Sequence, residues 1–255
     1  MADEQQGTSG PGHASSADAT ATNLAVTSST GDTKQTDADH GSSSLLETEE
    51  LPSFETSRKI EAYEVLDHEG KSHSFKSVSQ GPDTVDRVLV IFIRHFFCGS
   101  CQEYITALSE AIKPDDLLQL PVSTSIAIIG CGDPGLIDFY ATETGCPFPM
   151  YADPSRKLYN DLGMASNLAL GPQPDYIRKS MFRIVGESFM QALKQVPKGL
   201  VHKAGPSSQN GGELLYVSDG NGQPKQLTWC HRMKTTRDHI EIKDLMRLLD
   251  AAPKK

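Results

Sequence analysis

Two stretches of the chain are apolar at nearly every position, which is the pattern of strands buried on both faces. Residues 88–93 read VLVIFI and residues 124–130 read TSIAIIG. Both are rich in β-branched residues and too short to cross a membrane. We therefore predict buried strands at Arg87–Arg94 and Thr124–Gly130.

Helix signals follow both strands. Residues 98–113 have a helix-compatible pattern and end before Pro114, which cannot continue a helix. Asp133 can cap a helix that has Pro134 at its first position. A helix that joins two buried strands makes a right-handed crossover with parallel strands. The predicted helices are 98–113, 115–120, 134–144, 155–162, 176–196 and 240–251, the last capped by Asp238.

Turn signals predict two hairpins. Residues 59–66 alternate loosely, and the Asp67-His68-Glu69-Gly70 turn would return the chain through residues 72–78. Near the C-terminus, the DGNG turn at residues 219–222 separates two strands, Glu213–Val217 and Gln226–His231. Both pairs of strands are therefore expected to be antiparallel.

The order of these elements, with a further short strand at 148–152, predicts the fold class. Parallel strands around residues 87–94, an added antiparallel pair and helices on both faces form an α/β protein. The prediction is a thioredoxin-like three-layer α/β/α sandwich with a mixed sheet, an extra N-terminal β-hairpin and an inserted helical segment at 176–196. The basic residues of that segment would also suit a membrane surface, but a helix that covers the sheet is favoured.

Composition divides the chain in two. Residues 1–50 contain no aromatic residue and hold nine acidic residues against one lysine, a net charge of −8 out of −9 for the whole chain. Such a segment cannot bury enough apolar surface to offset the entropy of ordering. We predict a disordered acidic Ser/Thr-rich tail at 1–50 and one folded domain at 51–255, which is nearly neutral.

The charge pattern and the N-terminus also exclude several classes of partner. The near-neutral domain offers no basic surface for nucleic acid, and no segment reads as a membrane span. MADEQQGTSG has neither the basic start and apolar core of a secretory signal nor the arginines of a transit peptide. The expected location is cytoplasmic, where five cysteines would not form a structural disulfide framework.

The strongest chemical signal is Cys98-Gly99-Ser100-Cys101, directly after the first buried strand. Cysteines three residues apart in a first helical turn lie on one face and can form a disulfide. A helix N-terminus and nearby positive charge, here Arg94 and His95, lower a thiol pKa. The candidate catalytic residues are therefore Cys98, Cys101, Arg94 and His95, although His95 could equally be a packing residue.

Zinc is the alternative use of a C-x-x-C pair, but it usually needs a second, well-separated pair. The remaining cysteines, Cys131, Cys146 and Cys230, form no second C-x-x-C motif. A lone cysteine is most often a small buried apolar residue, although Cys131 ends the neighbouring parallel strand and could be an auxiliary thiol. We predict no metal and no bound cofactor.

Residues 130–135, GCGDPG, match the G-x-G-x-x-G pattern of dinucleotide sites, with Asp153 at roughly the expected distance. Asp133, however, would place a carboxylate where a pyrophosphate has to sit. We interpret the segment as a capped helix start rather than a nucleotide site.

Three segments carry a resemblance to a known family: VLVIFIRHFFCGSCQEY, IIGCGDPGLIDFYATETGCPFPMYADPSRKLYNDLGM, and NGGELLYV with the later RDH. Together they cover nearly all of residues 55–250. The sequence resembles the peroxiredoxin-like 2 family, its fungal-type members in particular, within the AhpC/TSA branch of the thioredoxin-like superfamily. The resemblance implies a thioredoxin-like fold and thiol-dependent antioxidant or reductase activity.

The resemblance is incomplete at the site. When the P-x-x-x-T-x-x-C motif of true peroxiredoxins is aligned with residues 94–101, Arg94 stands in place of Pro and Cys98 in place of Thr. The later arginine and the cis-proline of related families are replaced by Gly211-Gly212-Glu213. Arg94, Arg232 or His231 are candidates to replace that arginine. The spacing of thioredoxins makes Cys98 the nucleophile and that of peroxiredoxins makes it Cys101; the former is favoured.

The sequence thus leads to a functional hypothesis. The protein is expected to reduce a small peroxide or disulfide through Cys98 and Cys101, with a thioredoxin- or glutathione-type reductant restoring the dithiol. The alternative is a non-catalytic thioredoxin-like module that acts as a redox sensor or interaction protein.

Overall fold

The computed structural model describes residues 48–178, 186 and 203–250. These residues belong to one compact unit, Ala38–Lys255. Nearly all of the predicted tail, residues 1–50, lies outside the described residues. So does most of the predicted helix at 176–196, whose first three residues, 176–178, are not helical.

The strands of the described residues form one mixed sheet with the order β2-β1-β5-β4-β3-β6-β7. The central strands β3, β4 and β5 are parallel, and β6 pairs antiparallel with β3. The N-terminal hairpin joins the opposite edge through an antiparallel pair between β1 and β5. The strands are β1 (Glu64–Leu66), β2 (Ser72–Ser74), β3 (Arg87–Phe92), β4 (Thr124–Gly130), β5 (Met150–Ala152), β6 (Gly212–Val217) and β7 (Gln226–Arg232).

Helices cover both faces of this sheet. A 3₁₀ turn, Pro134–Leu136, leads into α5, with Asp133 as its cap as the sequence predicts. The described helices are α1 (Phe54–Glu61), α2 (Phe75–Gln80), α3 (Gly99–Ala111), α4 (Pro114–Leu118), α5 (Ile137–Thr144), α6 (Lys157–Asp161) and α7 (Ile242–Asp250).

Strand β3 separates two hydrophobic cores. Leu89 and Ile91 face the core under α3, α5 and α7, whereas Val88 and Val90 face the core under α1, α2 and α6. All four side chains are completely buried, and each contributes about 1.5–3 kcal/mol of hydrophobic free energy on folding. This packing confirms the predicted thioredoxin-like α/β/α layering and explains why β3 is apolar at every position after Arg87.

The N-terminal hairpin exists, but its flanks are helical where strands were predicted. Helix α1 occupies residues 59–61 and helix α2 occupies residues 75–78. Serine caps decide both positions: the Ser53 hydroxyl accepts from Thr56 N at 3.1 Å, and the Ser74 hydroxyl from Ser77 N at 3.2 Å. Each cap satisfies a free N–H group of a first helical turn. Such a cap favours a helix more strongly than a loose alternation of apolar and polar residues favours a strand.

The start of the last helix also differs from the prediction. Asp238 does not cap α7, because its Oδ2 accepts a hydrogen bond from Lys234 N at 2.7 Å. The helix starts at Ile242, with the Glu241 carbonyl accepting from the N–H groups of residues 244 and 245. His239 and Ile240 are instead non-helical and buried. This irregular segment takes His239 into the interior of the protein.

Candidate active site

Cys98 lies at the N-terminus of α3, beside the carboxyl ends of β3 and β4. It is the N-cap residue of a 13-residue helix, and its Sγ accepts a hydrogen bond from Cys101 N at 3.4 Å. The free N–H groups and the dipole of this helix end favour a negative charge on the sulfur. The strand-to-helix placement predicted for the cysteine pair is therefore the one observed.

Arg94 contacts both sulfur atoms. Its Nη1 donates to Cys98 Sγ at 3.3 Å and its backbone N donates to Cys101 Sγ at 3.4 Å. The guanidinium is nearly buried and is held by the loop before β6, because Nε donates to Gln209 O and to Asn210 Oδ1, both at 3.1 Å. A fixed cation thus lies against the first cysteine.

The two thiols have opposite electrostatic environments. The hydrogen bond from the Cys101 side chain lowers the pKa of Cys98 well below its usual value, and the charges of His95 and then of Arg94 add to this against the effect of burial. Burial raises the pKa of Cys101, and the neighbouring Cys98 raises it further. A single negative charge shared by this pair therefore resides on Cys98, while Cys101 keeps its proton.

The two cysteines also differ in accessibility, and Cys98 is the more exposed. Cys98 exposes 4 % of its surface and Cys101 exposes none. Both cysteines are nevertheless buried. Both thiols are free.

His95 is close to the pair, and a proton on its ring favours the Cys98 thiolate. Burial disfavours that proton, because it lowers the pKa of His95, whereas a guanidinium such as that of Arg94 is a cation by its chemistry. Within the described residues, His95 Nδ1 is buried without a hydrogen-bond partner. Its carbonyl accepts from Cys98 N at 3.0 Å, which helps to shape the turn that carries the cysteine.

A chain of three buried side chains reaches Cys101 from the other side. His239 Nε2 lies 3.4 Å from Cys101 Sγ, and its Nδ1 lies 2.6 Å from Glu213 Oε1. The second carboxylate oxygen, Oε2, is 2.8 Å from His231 Nδ1. Glu213 and the His239 side chain are fully buried, and the His231 side chain is 11 % exposed. The carboxylate thus connects the fully buried histidine to one with a small exposed fraction.

Glu213 is ionised in spite of its burial. Burial alone would raise the pKa of this carboxyl, but the two histidines outweigh it and lower the pKa to about 2. Burial also opposes protonation of His231, yet the Glu213 carboxylate raises the pKa of that ring. The network therefore carries a buried negative charge that favours the protonated form of His231.

Sequence reasoning did not bring Glu213 and His239 into the site. They lie 115 and 141 residues after Cys98 in the numbering, and no spacing rule connects them with a C-x-x-C motif. The available signal was Glu213 itself, a carboxylate within the otherwise uncharged strand GELLYV. His231 is present, but it contacts Glu213 and not the sulfurs. Arg232 is remote: its Nε donates to Leu162 O at 2.6 Å.

Gly211 and Gly212 explain how Glu213 approaches so closely. A Cβ atom on Gly211 would lie 1.8 Å from the carbonyl oxygen of Phe92, at the end of β3. One on Gly212 would lie 2.3 Å from the carbonyl oxygen of His231. Both neighbours are backbone atoms that cannot rotate away, so only glycine allows β6 to enter the sheet here.

The other three cysteines are unreactive by environment. Burial raises the pKa of Cys131 to about 12 and that of Cys146 to about 11, and it also raises the pKa of Cys230. Cys131 Sγ donates to the Arg94 carbonyl at 2.8 Å, so it supports the segment that leads to Cys98 and Cys101. Within the described ranges, no three His, Cys, Asp or Glu side chains are arranged to hold a metal ion.

The glycine-rich segment at 130–135 has a structural explanation. A Cβ on Gly132 would lie 2.5 Å from the Ala204 carbonyl oxygen, so glycine is needed for packing. Asp133 accepts from Gly135 N at 2.9 Å and Asp153 from Leu158 N at 3.0 Å. Both carboxylates therefore accept hydrogen bonds from N–H groups at helix starts. A dinucleotide site needs such N–H groups free for the pyrophosphate and a free carboxylate for the ribose, so this segment does not fit one.

The fold and the site together define a thioredoxin-like α/β protein with a buried dithiol at the start of its central crossover helix. The profile of the AhpC/TSA antioxidant enzyme family matches residues 107–235, which is just over half of the chain. The chain belongs to this family. The matched residues start after Cys98 and Cys101, so the cysteine pair is not part of the match.

Curated relatives agree with this assignment. The chain is 29 % identical to a Takifugu rubripes protein named Peroxiredoxin-like 2C over 188 residues, 72 % of this chain and 77 % of the relative. It is 26 % identical to the Mus musculus protein of the same name over 191 residues, 74 % of this chain and 78 % of the relative. These similarities confirm the resemblance noted from the sequence.

Solved structures of similar topology share little sequence with this chain. One is the Xanthomonas campestris bacterioferritin comigratory protein, described with alkyl peroxide reduction activity (TM-score 0.48, 10 % identity, 80 % of this chain and 96 % of that chain). Another is Xanthomonas campestris peroxiredoxin Q (TM-score 0.45, 10 % identity, 78 % of this chain and 92 % of that chain). No helix in the described part of the chain has the length and hydrophobicity needed to cross a bilayer.

Proposed function

We propose that the protein is a thiol-dependent oxidoreductase in which Cys98 is the nucleophile and Cys101 the resolving cysteine. The observation that carries this proposal is the asymmetry of the pair: the more accessible sulfur is also the one that receives hydrogen bonds from Arg94 Nη1 and Cys101 N. These donors stabilise a thiolate, which is the reactive form of cysteine.

The first half-reaction forms one bond to Cys98. With a disulfide R–S–S–R′, the Cys98 thiolate attacks one sulfur, a mixed disulfide Cys98–S–S–R forms and R′–S⁻ leaves. With a peroxide ROOH, the thiolate attacks the terminal oxygen, Cys98 becomes a sulfenic acid and RO⁻ leaves to take up a proton. Arg94, fixed beside the sulfur, is the donor placed to stabilise the negative charge that develops on the leaving group.

The second half-reaction is common to both substrates. Cys101 loses its proton and attacks Cys98, so that an intramolecular disulfide forms and RS⁻ or hydroxide is expelled. A dithiol donor of the thioredoxin type, or two molecules of glutathione, returns two electrons and restores both thiols. The C-x-x-C spacing suits this step because both cysteines lie in the first turn of one helix.

The test is turnover of a substrate panel of hydrogen peroxide, an alkyl hydroperoxide and a small disulfide, recycled by thioredoxin or by glutathione. C98S is expected to abolish turnover, because no other described thiol has a lowered pKa. C101S is expected to allow one substrate equivalent to react and then to stop. C146S, outside the pair, is the matched control and should retain full turnover. Undiminished turnover in both C98S and C101S would contradict the proposal.

The near-complete burial of the dithiol favours a second candidate, a redox sensor that cycles slowly and changes partner binding. The two are distinguished by the thiolate fraction of Cys98, measured from its alkylation rate against pH. A Cys98 pKa near that of free cysteine, together with turnover far slower than 1 per minute, would favour the sensor. A depressed pKa with rapid turnover supports the enzyme.

A further inference from the structure

The two-cysteine reaction proposed above gives no role to three residues near Cys101. His239 contacts Cys101, Glu213 contacts His239, and His231 contacts Glu213. We propose that His239 is the catalytic base that deprotonates Cys101, with Glu213 as its positioning residue and His231 as the second partner of that carboxylate. The inference rests on the proposed function, because it assigns the proton transfer of the resolving step.

The contacts of Glu213 fix the tautomer that such a base requires. A carboxylate accepts hydrogen bonds and cannot donate, so the proton of the neutral His239 ring lies on Nδ1, 2.6 Å from Glu213 Oε1. The lone pair is then on Nε2, 3.4 Å from Cys101 Sγ. A nucleophile, a base and a third group that orients the base are the parts of a catalytic triad.

Cys101 needs an internal base because solvent cannot serve it. The residue has no exposed surface, and burial with the neighbouring Cys98 raises the pKa of its thiol. Its spontaneous thiolate fraction at neutral pH is therefore very small. A base within reach of the sulfur removes this barrier only at the moment when Cys101 has to attack.

The step balances in protons and electrons. The Cys101 S–H proton moves to His239 Nε2, and the resulting imidazolium is paired with the Glu213 carboxylate. The Cys101 thiolate attacks Cys98–S–S–R, so the Cys98–Cys101 bond forms and the Cys98–R bond breaks. The expelled thiolate carries away the electron pair. The substrate disulfide is reduced by two electrons and the cysteine pair is oxidised by two.

The proton returns to Cys101 later in the cycle. Glu213 is paired with the His239 imidazolium until then, at 2.6 Å from Nδ1, and its second carboxylate oxygen lies 2.8 Å from His231 Nδ1. When the reductant attacks Cys98 and cleaves the Cys98–Cys101 disulfide, Cys101 is expelled as a thiolate and takes the proton back from His239 Nε2, which restores the neutral ring with its proton on Nδ1.

The remaining neighbours of His239 do not titrate near neutral pH. The Tyr104 ring of α3 stacks on His239 at 4.3 Å, and the Tyr176 hydroxyl accepts from His239 N at 3.3 Å. Burial raises the pKa of both phenols, so they stay neutral. The titratable groups that face the ring are thus Cys101, Tyr104, Tyr176 and Glu213, with His231 behind the carboxylate and the Arg94 cation on the far side of the sulfurs.

The test separates the two half-reactions with dithiobis(nitrobenzoate), a disulfide whose coloured thiolate leaves without needing a proton. In a full-length C146S background, attack by Cys98 releases a first equivalent and attack by Cys101 releases a second. We expect H239Q to slow the second release about 100-fold at pH 7, and E213Q about 10-fold, within the usual range of general-base effects. The first release should change by less than about threefold, because the proposed base acts on Cys101 and not on Cys98.

The pH profile distinguishes a base from a residue that only supports packing. In H239Q, Cys101 must be deprotonated by hydroxide, so the second release should accelerate about tenfold per pH unit and converge with the unsubstituted protein at high pH. In the unsubstituted protein this release should depend much less on pH. H73Q, which alters a histidine–aspartate pair 2.7 Å apart in the N-terminal hairpin, is the matched control and should leave both releases unchanged.

The outcomes are separable. If the second release in H239Q and E213Q equals that of the C146S background, His239 is not the base. If C98S still abolishes the first release, the proposed function remains intact. A first release that survives C98S overturns the proposed function itself. If H239Q does not fold, as judged by its circular dichroism, E213Q provides the test: a second release equal to that of the C146S background in rate and pH dependence would contradict the proposal.

Discussion

At the scale of single residues, Arg94 is the residue that contacts both sulfur atoms of the pair. Its backbone and its guanidinium contact different sulfurs, and its own position is set by the Gln209 carbonyl and Asn210. His95 differs from it in spite of being its neighbour in sequence, because burial lowers the pKa of the imidazole. Of the two residues expected to supply positive charge, Arg94 is the one that is a cation by its chemistry.

We predict that R94M raises the pKa of Cys98 and slows its reaction at pH 7 about tenfold, because the thiolate loses its cation and one hydrogen bond. The measurement is the rate of alkylation by iodoacetamide against pH in the C146S background. R178M removes an exposed arginine paired with Glu110 and is the matched control. An unchanged pH profile for R94M would show that the guanidinium is not a source of the activation.

Glu213 makes acid stability a second residue-scale prediction. Its pKa in the folded protein is about 2 against 4.5 for an ordinary glutamate, so its contribution is complete above pH 4.5 and is lost as the pH falls towards 2. The loss amounts to about 3 kcal/mol. The difference in unfolding free energy between the unsubstituted protein and E213Q, from urea titrations, should shrink by that amount between pH 5 and pH 2. A constant difference would contradict an ionised Glu213.

At the scale of elements, the site depends on how β6 enters the sheet beside β3. The pair Phe92 and Gly212 closes the antiparallel register at the end of β3 that leads into the cysteine loop. Glu213 follows directly, opposite Ile91 on one side and His231 on the other. A shift of one residue in this register would turn Glu213 to the other face of the sheet and away from His239.

We predict that G211A destabilises the protein by at least about 3 kcal/mol, because the added methyl group meets the rigid Phe92 carbonyl. The measurement is the midpoint of urea unfolding. G220A is the comparison: it has a positive φ of 76° and open space around its Cβ position, so it should cost only about 1 kcal/mol. Equal losses of stability in G211A and G220A would mean that the close approach of Gly211 to Phe92 does not require a glycine.

At the scale of the whole molecule, the folded unit and the acidic N-terminal segment are expected to act separately. We propose that the domain is functional without the tail, whose composition gives no means of forming a core. Residues 48–50 are different, because they contact the outer edge of β7: Glu49 N donates to Cys230 O at 3.1 Å and Cys230 N donates to Thr48 Oγ1 at 3.1 Å. These contacts satisfy backbone groups of an edge strand.

We predict that deletion of residues 1–47 leaves the Tm and the turnover unchanged. Deletion of residues 1–50 should lower the Tm by about 4 °C, because it removes several edge hydrogen bonds worth about 1–2 kcal/mol in total. Differential scanning calorimetry of the two truncated proteins checks this. A large loss of activity in the shorter deletion would assign the acidic tail a role that its composition does not indicate.

Much of this architecture follows from the sequence because its cause is local. The two apolar runs determine β3 and β4, and glycine, proline and aspartate mark the turns and most of the caps that bound the central elements. The errors at residues 59–61 and 75–78 arose where serine caps outweighed a weak alternation. The start of α7 was misplaced because the burial of His239 and Ile240, which no local pattern announces, keeps them out of the helix.

The sequence by itself determined the thioredoxin-like fold class, the position of the cysteine pair at a helix N-terminus and Arg94 as a neighbouring cation, since all of these depend on residues close together in the chain. Only the tertiary structure decided which sulfur is the more exposed and which groups surround each of them. His239 reaches Cys101 through a buried irregular segment, and strand pairing places Glu213 and His231 behind it. Contacts of this kind depend on the path of the whole chain, and so they have no signature in any short stretch of it.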